Sequence, residues 1–258
     1  MDTKGRTTRR KLLLQAKGID KNCTTPSGDT ALMVAIRADA MNFVRLLLKY
    51  GADVNKANHF GRTPLHLASY QKSLEMITGL LLHRANPNVE DAFGNTPLCW
   101  CMLESPDVQV ARRLLKWGAN PDFRTIKPYP LLLELALNCK CEGDIAMIDI
   151  LLEFEADINI RGEVSKFTAL HVASITGYLP LAKFLLQNGS QIDSVDVTKR
   201  SPLDVATDHG HTELVAFYRS RLFEIERRAR IVATASSLKR KSAADTQLSK
   251  TVTFDRLL

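Results

Sequence analysis

The sequence has no apolar run approaching the roughly 20 residues needed to span a bilayer. Its polar opening, 1–11, holds no secretory apolar core. Together these absences predict a chain that stays out of the membrane and inside the cell. Cysteine is scarce: five in all, an odd number, which suits thiols kept reduced rather than a disulfide framework. There is no glycine-rich phosphate loop and no GxSxG or HExxH spacing. His66 and His171 have no nucleophile and acid spaced to serve them. The sequence therefore predicts no enzyme: no catalytic residue, no cofactor, no obligate small molecule and no metal. A basic body is missing as well. The net charge of +7 sits at the ends, +5 over 1–18 and +6 over 219–258, which leaves −4 for 19–218. Nucleic-acid binding needs a continuous basic surface to displace counterions, so it is not expected.

What the chain does have is a pattern that returns. Residues 51–68 read GADVNKANHFGRTPLHLA. Thr63 precedes a proline that suits the first helical position, where a missing N–H is harmless. Leu65, Leu67 and Ala68 then face a core, and Gly51 closes the preceding helix where φ > 0 is favoured. The final residue of the hexapeptide recurs at Ala35, Ala68, Cys101, Ala136, Ala173 and Ala206, in steps of 33, 33, 35, 37 and 33. The loop position recurs at Gly18, Gly51, Arg84, Gly118, Glu155 and Gly189, in steps of 33, 33, 34, 37 and 34. Second-helix cores lie between them, at 46–48, 80–82, 114–115, 151–152 and 185–186.

These residues resemble the ankyrin repeat, whose signature includes T-P-L-H-x-A at a period near 33. The resemblance implies an all-α solenoid with a disordered C-terminal tail. Residues 1–9 are expected to be disordered and 10–222 to form the repeat domain, opened by a truncated repeat at 10–17. A helical extension over 223–232 and a disordered basic tail over 233–258 complete the chain. Repeat 4 is the most degenerate: it has lost Thr-Pro, and an insertion at 139–144 is expected to lengthen its inter-helix turn. Cys99-x-Cys101 and Cys139-x-Cys141 look like a four-thiolate zinc pair, but the first two fall on different sides of one helix, which points to core packing.

In such a fold the finger tips and first helices line a concave groove. Phe60 and Phe93 recur just before the loop glycine and Tyr129 falls near the equivalent place in repeat 4, while Tyr70, Leu103 and Ile175 share a place after the signature. Two readings stay open for them, a partner-binding stripe or packing of each aromatic on its own finger. The tail holds two short motifs. Arg227-Arg228 and Lys239-Arg240-Lys241 resemble a bipartite nuclear-import signal read by importin. Lys250, Val252 and Phe254 resemble the docking motif of protein phosphatase 1 regulatory subunits, in which an extended peptide adds to a sheet edge. The resemblances imply a non-catalytic scaffold for protein–protein interaction, cytoplasmic or nuclear, that targets the phosphatase catalytic subunit. The alternative is a signalling adaptor that uses its groove alone.

Overall fold

The computed structural model describes the backbone of residues 23–123 and 129–254, with side chains followed to 232 and at 234. The expectations for 1–9 and 10–17 lie outside the described residues. Within them the chain forms helix pairs: α1 (Ala31–Arg37) with α2 (Met41–Lys49), α3 (Pro64–Tyr70) with α4 (Leu74–Leu82), and α5 (Pro97–Cys99) with α6 (Val108–Lys116). Then come α7 (Leu131–Asn138) with α8 (Glu142–Glu153), α9 (Ala169–Thr176) with α10 (Leu179–Gln187), and α11 (Pro202–Asp208) with α12 (Thr212–Phe254). Thr30, Thr63, Thr96, Thr168 and Ser201 stand in extended backbone just ahead of first helices, where their hydroxyls serve N-terminal N–H groups. In α7 the place is taken by Pro130, and no side chain caps the helix.

The second helices stack in order from α2 to α12, and first helices touch in order within repeats 1–3 and within repeats 4–6. Leu47, Leu80, Leu114, Leu151 and Leu185 are buried along the seam, each contributing about 1.5–3 kcal/mol by leaving water. Leu82, expected in the core, is 65% exposed. The third of three consecutive leucines is turned off the buried stripe, because successive helical residues rotate by about 100°. Tyr218 pins α12 to the array. It is fully buried, and its hydroxyl lies 3.0 Å from Ser174 Oγ of α9.

Each loop after a second helix turns on a left-handed residue: Gly51, Arg84, Gly118, Glu155 and Gly189 all have positive φ. From these loops a side-chain ladder ties neighbours. Asn55 Nδ2 donates to Arg84 O at 3.2 Å, Asn88 Nδ2 to Gly118 O at 2.8 Å, and Asn159 Nδ2 to Gly189 O at 3.4 Å. Fingers dock backbone to backbone, as where Ala92 N–H donates to Phe60 O at 2.8 Å.

The irregular repeats absorb their extra residues inside helices. Cys101 and Gly118 stand one residue further apart than Ala68 and Arg84. The surplus is taken up by a π turn, Trp100–Glu104, that continues α5 and is closed by Ser105 N–H donating to Trp100 O at 3.1 Å. The 139–144 insertion does not lengthen the turn. Its second half begins α8, which runs 12 residues against nine in α6 and α10. Asp144 makes that possible: its carboxylate accepts from the N–H of Lys140 at 2.8 Å and of Cys141 at 3.0 Å, satisfying donors that the new first turn leaves unpaired.

At the C-terminus the helical backbone does not stop at 232. It continues to Phe254, and 233–254 contains neither proline nor glycine to break it.

Candidate functional site

Three aromatic side chains that a core would normally consume stand out from repeats 2 and 3. Phe60 is 47% exposed, Tyr70 52% and Phe93 60%. Phe60 and Phe93 sit at finger tips held by Asx turns: Asn58 Oδ1 accepts from Phe60 N–H and Arg62 N–H, and Asp91 Oδ1 accepts from Phe93 N–H and Asn95 N–H. Tyr70 closes α3. A cavity of about 710 Å³ opens between Tyr70 and Phe93, with Leu67, Gln71 and Trp100 in its wall and Arg37, Arg62, Asp91 and Glu104 at its polar places.

Trp100 organises this wall. Its indole N–H donates to Asp91 Oδ2 at 2.9 Å, and its ring meets Tyr70 edge-on at 5.8 Å between centroids. The guanidinium of Arg62 lies 4.6 Å above the Trp100 ring and 5.2 Å from the Phe60 ring. Each cation–ring contact is worth about 0.5–1 kcal/mol, more where water is excluded. Rings, cation and carboxylate thus brace one another into a rigid apolar surface with a charge set in it, the composition that dominates protein-binding hot spots.

The six residues expected in the groove divide. Tyr70 and Phe93 line the cavity, and Phe60 stands outside its lining, against Arg62. Leu103 is instead half-buried against the core and lines a separate cavity of about 130 Å³ with Pro106, Leu135 and Met147. The π turn is the reason: its extra residue shifts the helical phase after Trp100, and Glu104 reaches the groove in place of Leu103. Tyr129 is half-buried and packed on the core, near Gly162, where a Cβ would lie 3.5 Å from its ring. Ile175 is half-buried on α9 and away from the cavity, its carbonyl 3.0 Å from His211 Nε2. Sequence reasoning missed Trp100 and Arg62. The signal for Trp100 was present: it fills the x position of the hexapeptide, where Val34, Leu67, Leu135, Val172 and Val205 stand in the other repeats.

The histidines of the hexapeptide are engaged. His66 Nδ1 accepts from Thr63 N–H at 3.1 Å, and His171 Nδ1 accepts from Thr168 N–H at 3.2 Å. Burial lowers both below the usual histidine range. Cys99 and Cys101 are buried, and burial raises both thiols, Cys101 to about 12. Cys139 is buried and Cys141 exposed. Among the described residues no group of three or more His, Cys, Asp and Glu side chains is placed to hold a metal ion. No described helix is long and apolar enough to cross a membrane.

Arg227 and Arg228 are exposed on α12, and Arg228 borders a cleft of about 320 Å³ with Ser190 and Ile225. Lys239, Arg240 and Lys241, and likewise Lys250, Val252 and Phe254, lie on the helical backbone of α12 with side chains outside the described residues. Docking of either motif as an extended peptide would require α12 to unwind there.

Comparison with known proteins follows this geometry. The family model described as "Ankyrin repeats (3 copies)" matches residues 4–91 and 133–220, and that described as "Ankyrin repeat" matches 93–126. Cyclin-dependent kinase inhibitor 2A of Monodelphis domestica is 27% identical over 111 residues, 43% of this chain and 62% of that protein. Potassium channel AKT1 of Oryza sativa subsp. indica is 31% identical over 80 residues, 31% of this chain and 8% of that protein. The matched stretches thus span less than two thirds of these relatives' own lengths. Among solved structures, the ankyrin repeat domain of Bcl-3, described as a unique member of the IkappaB protein family, aligns with a TM-score of 0.70 at 27% identity. The alignment covers 77% of this chain and 86% of that one. Helix pairs, loop register and family matches agree over most of the sequence, and the chain belongs to the ankyrin-repeat family.

Proposed function

We propose that this chain is a non-catalytic scaffold that holds a partner protein against the cavity of repeats 2 and 3. One observation carries the reading: Tyr70 and Phe93 stay exposed at a cavity whose wall, Trp100 and Arg62, is braced in advance, and Phe60 stands exposed against Arg62. Exposed aromatics lower stability in water unless a partner covers them, and a rigid anchor loses little entropy on binding. A photo-crosslinking residue placed at Phe93 of the full chain should capture a defined partner from cell extract. Placed at Trp117, which does not line the cavity, it should not, and Tyr70→Ala/Trp100→Ala should abolish the Phe93 product. Equal capture from both positions would refute the groove.

A second reading rests on the spacing of Lys250, Val252 and Phe254: the chain targets protein phosphatase 1. Its test is titration of a 244–258 peptide against the phosphatase catalytic subunit, beside Val252→Ala/Phe254→Ala. Binding abolished by the double substitution supports targeting, and binding indifferent to it removes the phosphatase. Nuclear entry through importin belongs to the same tail. Substituting Lys239, Arg240 and Lys241 by alanine should release a fluorescent fusion from the nucleus.

A further inference from the structure

Arg62 is held without an anionic partner. Its guanidinium lies on the faces of Trp100 and Phe60, 4.6 and 5.2 Å away, and among the described residues no hydrogen bond or ion pair joins it to a carboxylate. Its Nε is closed off from solvent with no acceptor among the described residues. Asp91, one of two acids lining the same cavity, is already engaged by other donors. Asp91 Oδ1 takes two backbone N–H groups, and Oδ2 takes the Trp100 indole N–H at 2.9 Å. A second cation, Arg37, borders the cavity with half its side chain exposed, although it also pairs with Asp29 at 3.2 Å. Glu104 is the remaining acid in the lining and lies on the π turn.

Stacked guanidinium is pre-organised. The ring faces fix its plane and leave its N–H edge for an acceptor, in the fork geometry that suits a carboxylate. We propose that the anchor of this groove recognises an acidic side chain, an Asp or Glu of a partner segment. That carboxylate would meet Arg62, while neighbouring apolar side chains would lie on Phe60, Tyr70 and Phe93. This rests on the groove reading above and narrows it: the partner segment is acidic and apolar in alternation, and neither basic nor uniformly hydrophobic. Charge complementarity is the argument, since a guanidinium with no ion partner among the described residues, beside a carboxylate that already takes three donors, favours an incoming anion at its terminal nitrogens.

The test is a selection of random 12-residue displayed peptides on the immobilised full chain. The enriched peptides are then titrated against wild type, Arg62→Gln, Arg62→Lys and Phe93→Ala. The expected consensus pairs one Asp or Glu with aliphatic or aromatic neighbours. Arg62→Gln should weaken binding at least tenfold, Arg62→Lys less, and Phe93→Ala should weaken it too. Changing the peptide's own Glu to Gln should reproduce the Arg62→Gln loss on unaltered protein, which removes any dependence on a variant's folding. Peptides that need Phe93 yet show no acidic preference, or that ignore Arg62→Gln, overturn the acidic anchor while the groove stands. If no enriched peptide responds to Phe93→Ala or Tyr70→Ala, the groove itself fails, and the anchor with it.

Discussion

His66 Nε2 donates to the carbonyl of Asn95, 3.0 Å away and one repeat further on, and His171 makes the same bond to Arg200 at 3.1 Å. In both, Nδ1 accepts from a backbone N–H, so each ring is neutral with its proton on Nε2. Protonation of Nδ1 would set donor against donor at a buried helix start. Burial depresses both rings below the 6.5 that the unfolded chain retains. The unfolded state then binds more protons below that value, and stability is complete above about pH 6.5 and falls as pH drops from there. Urea melts at pH 7.5 and 5.5 should show a lower midpoint at the acid end, with a flatter dependence in His66→Gln/His171→Gln. An identical pH dependence in the variant would exclude these rings as its source.

Arg84 and Glu155 occupy left-handed backbone, with φ of +66° and +64°, at loop positions that are glycine in the neighbouring repeats. A side chain there is strained, and at Gly51, Gly118 and Gly189 an added Cβ would meet open space, so the strain is conformational rather than steric. Arg84→Gly and Glu155→Gly should each stabilise the chain by about 0.5–1 kcal/mol, and Gly118→Ala should lower it similarly. Thermal melts decide this, and destabilisation by both glycine substitutions would contradict it.

Gly61 is different, because there the space is also closed. A Cβ would lie 2.7 Å from Ala92 N and 2.9 Å from the Asp91 carbonyl carbon, both backbone. Gly61→Ala must separate the second and third fingers and displace Asp91 from Trp100. A loss of about 2 kcal/mol or more is expected, together with a red-shifted tryptophan emission as Trp100 gains water. An unchanged melting temperature would contradict the finger docking described here.

The ladder of loop side chains has one imperfect rung. Asp122 accepts from Asp157 N–H at 2.9 Å but has no N–H to return, where Asn55, Asn88 and Asn159 donate to the next loop carbonyl. Asp122→Asn should add a bond to the Glu155 carbonyl, worth about 0.5–1.5 kcal/mol. The same junction carries the cavity beside Leu103 and the uncapped start of α7. Hydrogen exchange should therefore open 129–145 before 63–100, and equal protection across both would count against a weak junction.

The repeat architecture was legible because its two anchors, the hexapeptide and the loop position, each impose a local backbone state. Thr63 and Thr168 read as helix starts, and Gly51 and Gly118 as left-handed turns, without knowledge of their neighbours. The groove was only half legible. Phe60, Tyr70 and Phe93 follow from counting by the period, but Leu103 does not, since counting assumes α-helical phase and the π turn at Trp100–Glu104 breaks it. Arg62 was not readable at all. Its role depends on two rings supplied by different repeats, a relationship that no local pattern encodes.

The rung at Asp122 has a mechanical consequence. Repeats joined only to their neighbours are springs in series, and springs in series carry the same force. The junction between α5 and α7, with its cavity and missing donor, is the soft spring: under load it takes up the largest share of the extension. Repeats 2 and 3, braced by Arg62 and Trp100, lie on the stiff side. The surface that meets a partner therefore keeps its shape while the far half of the array swings.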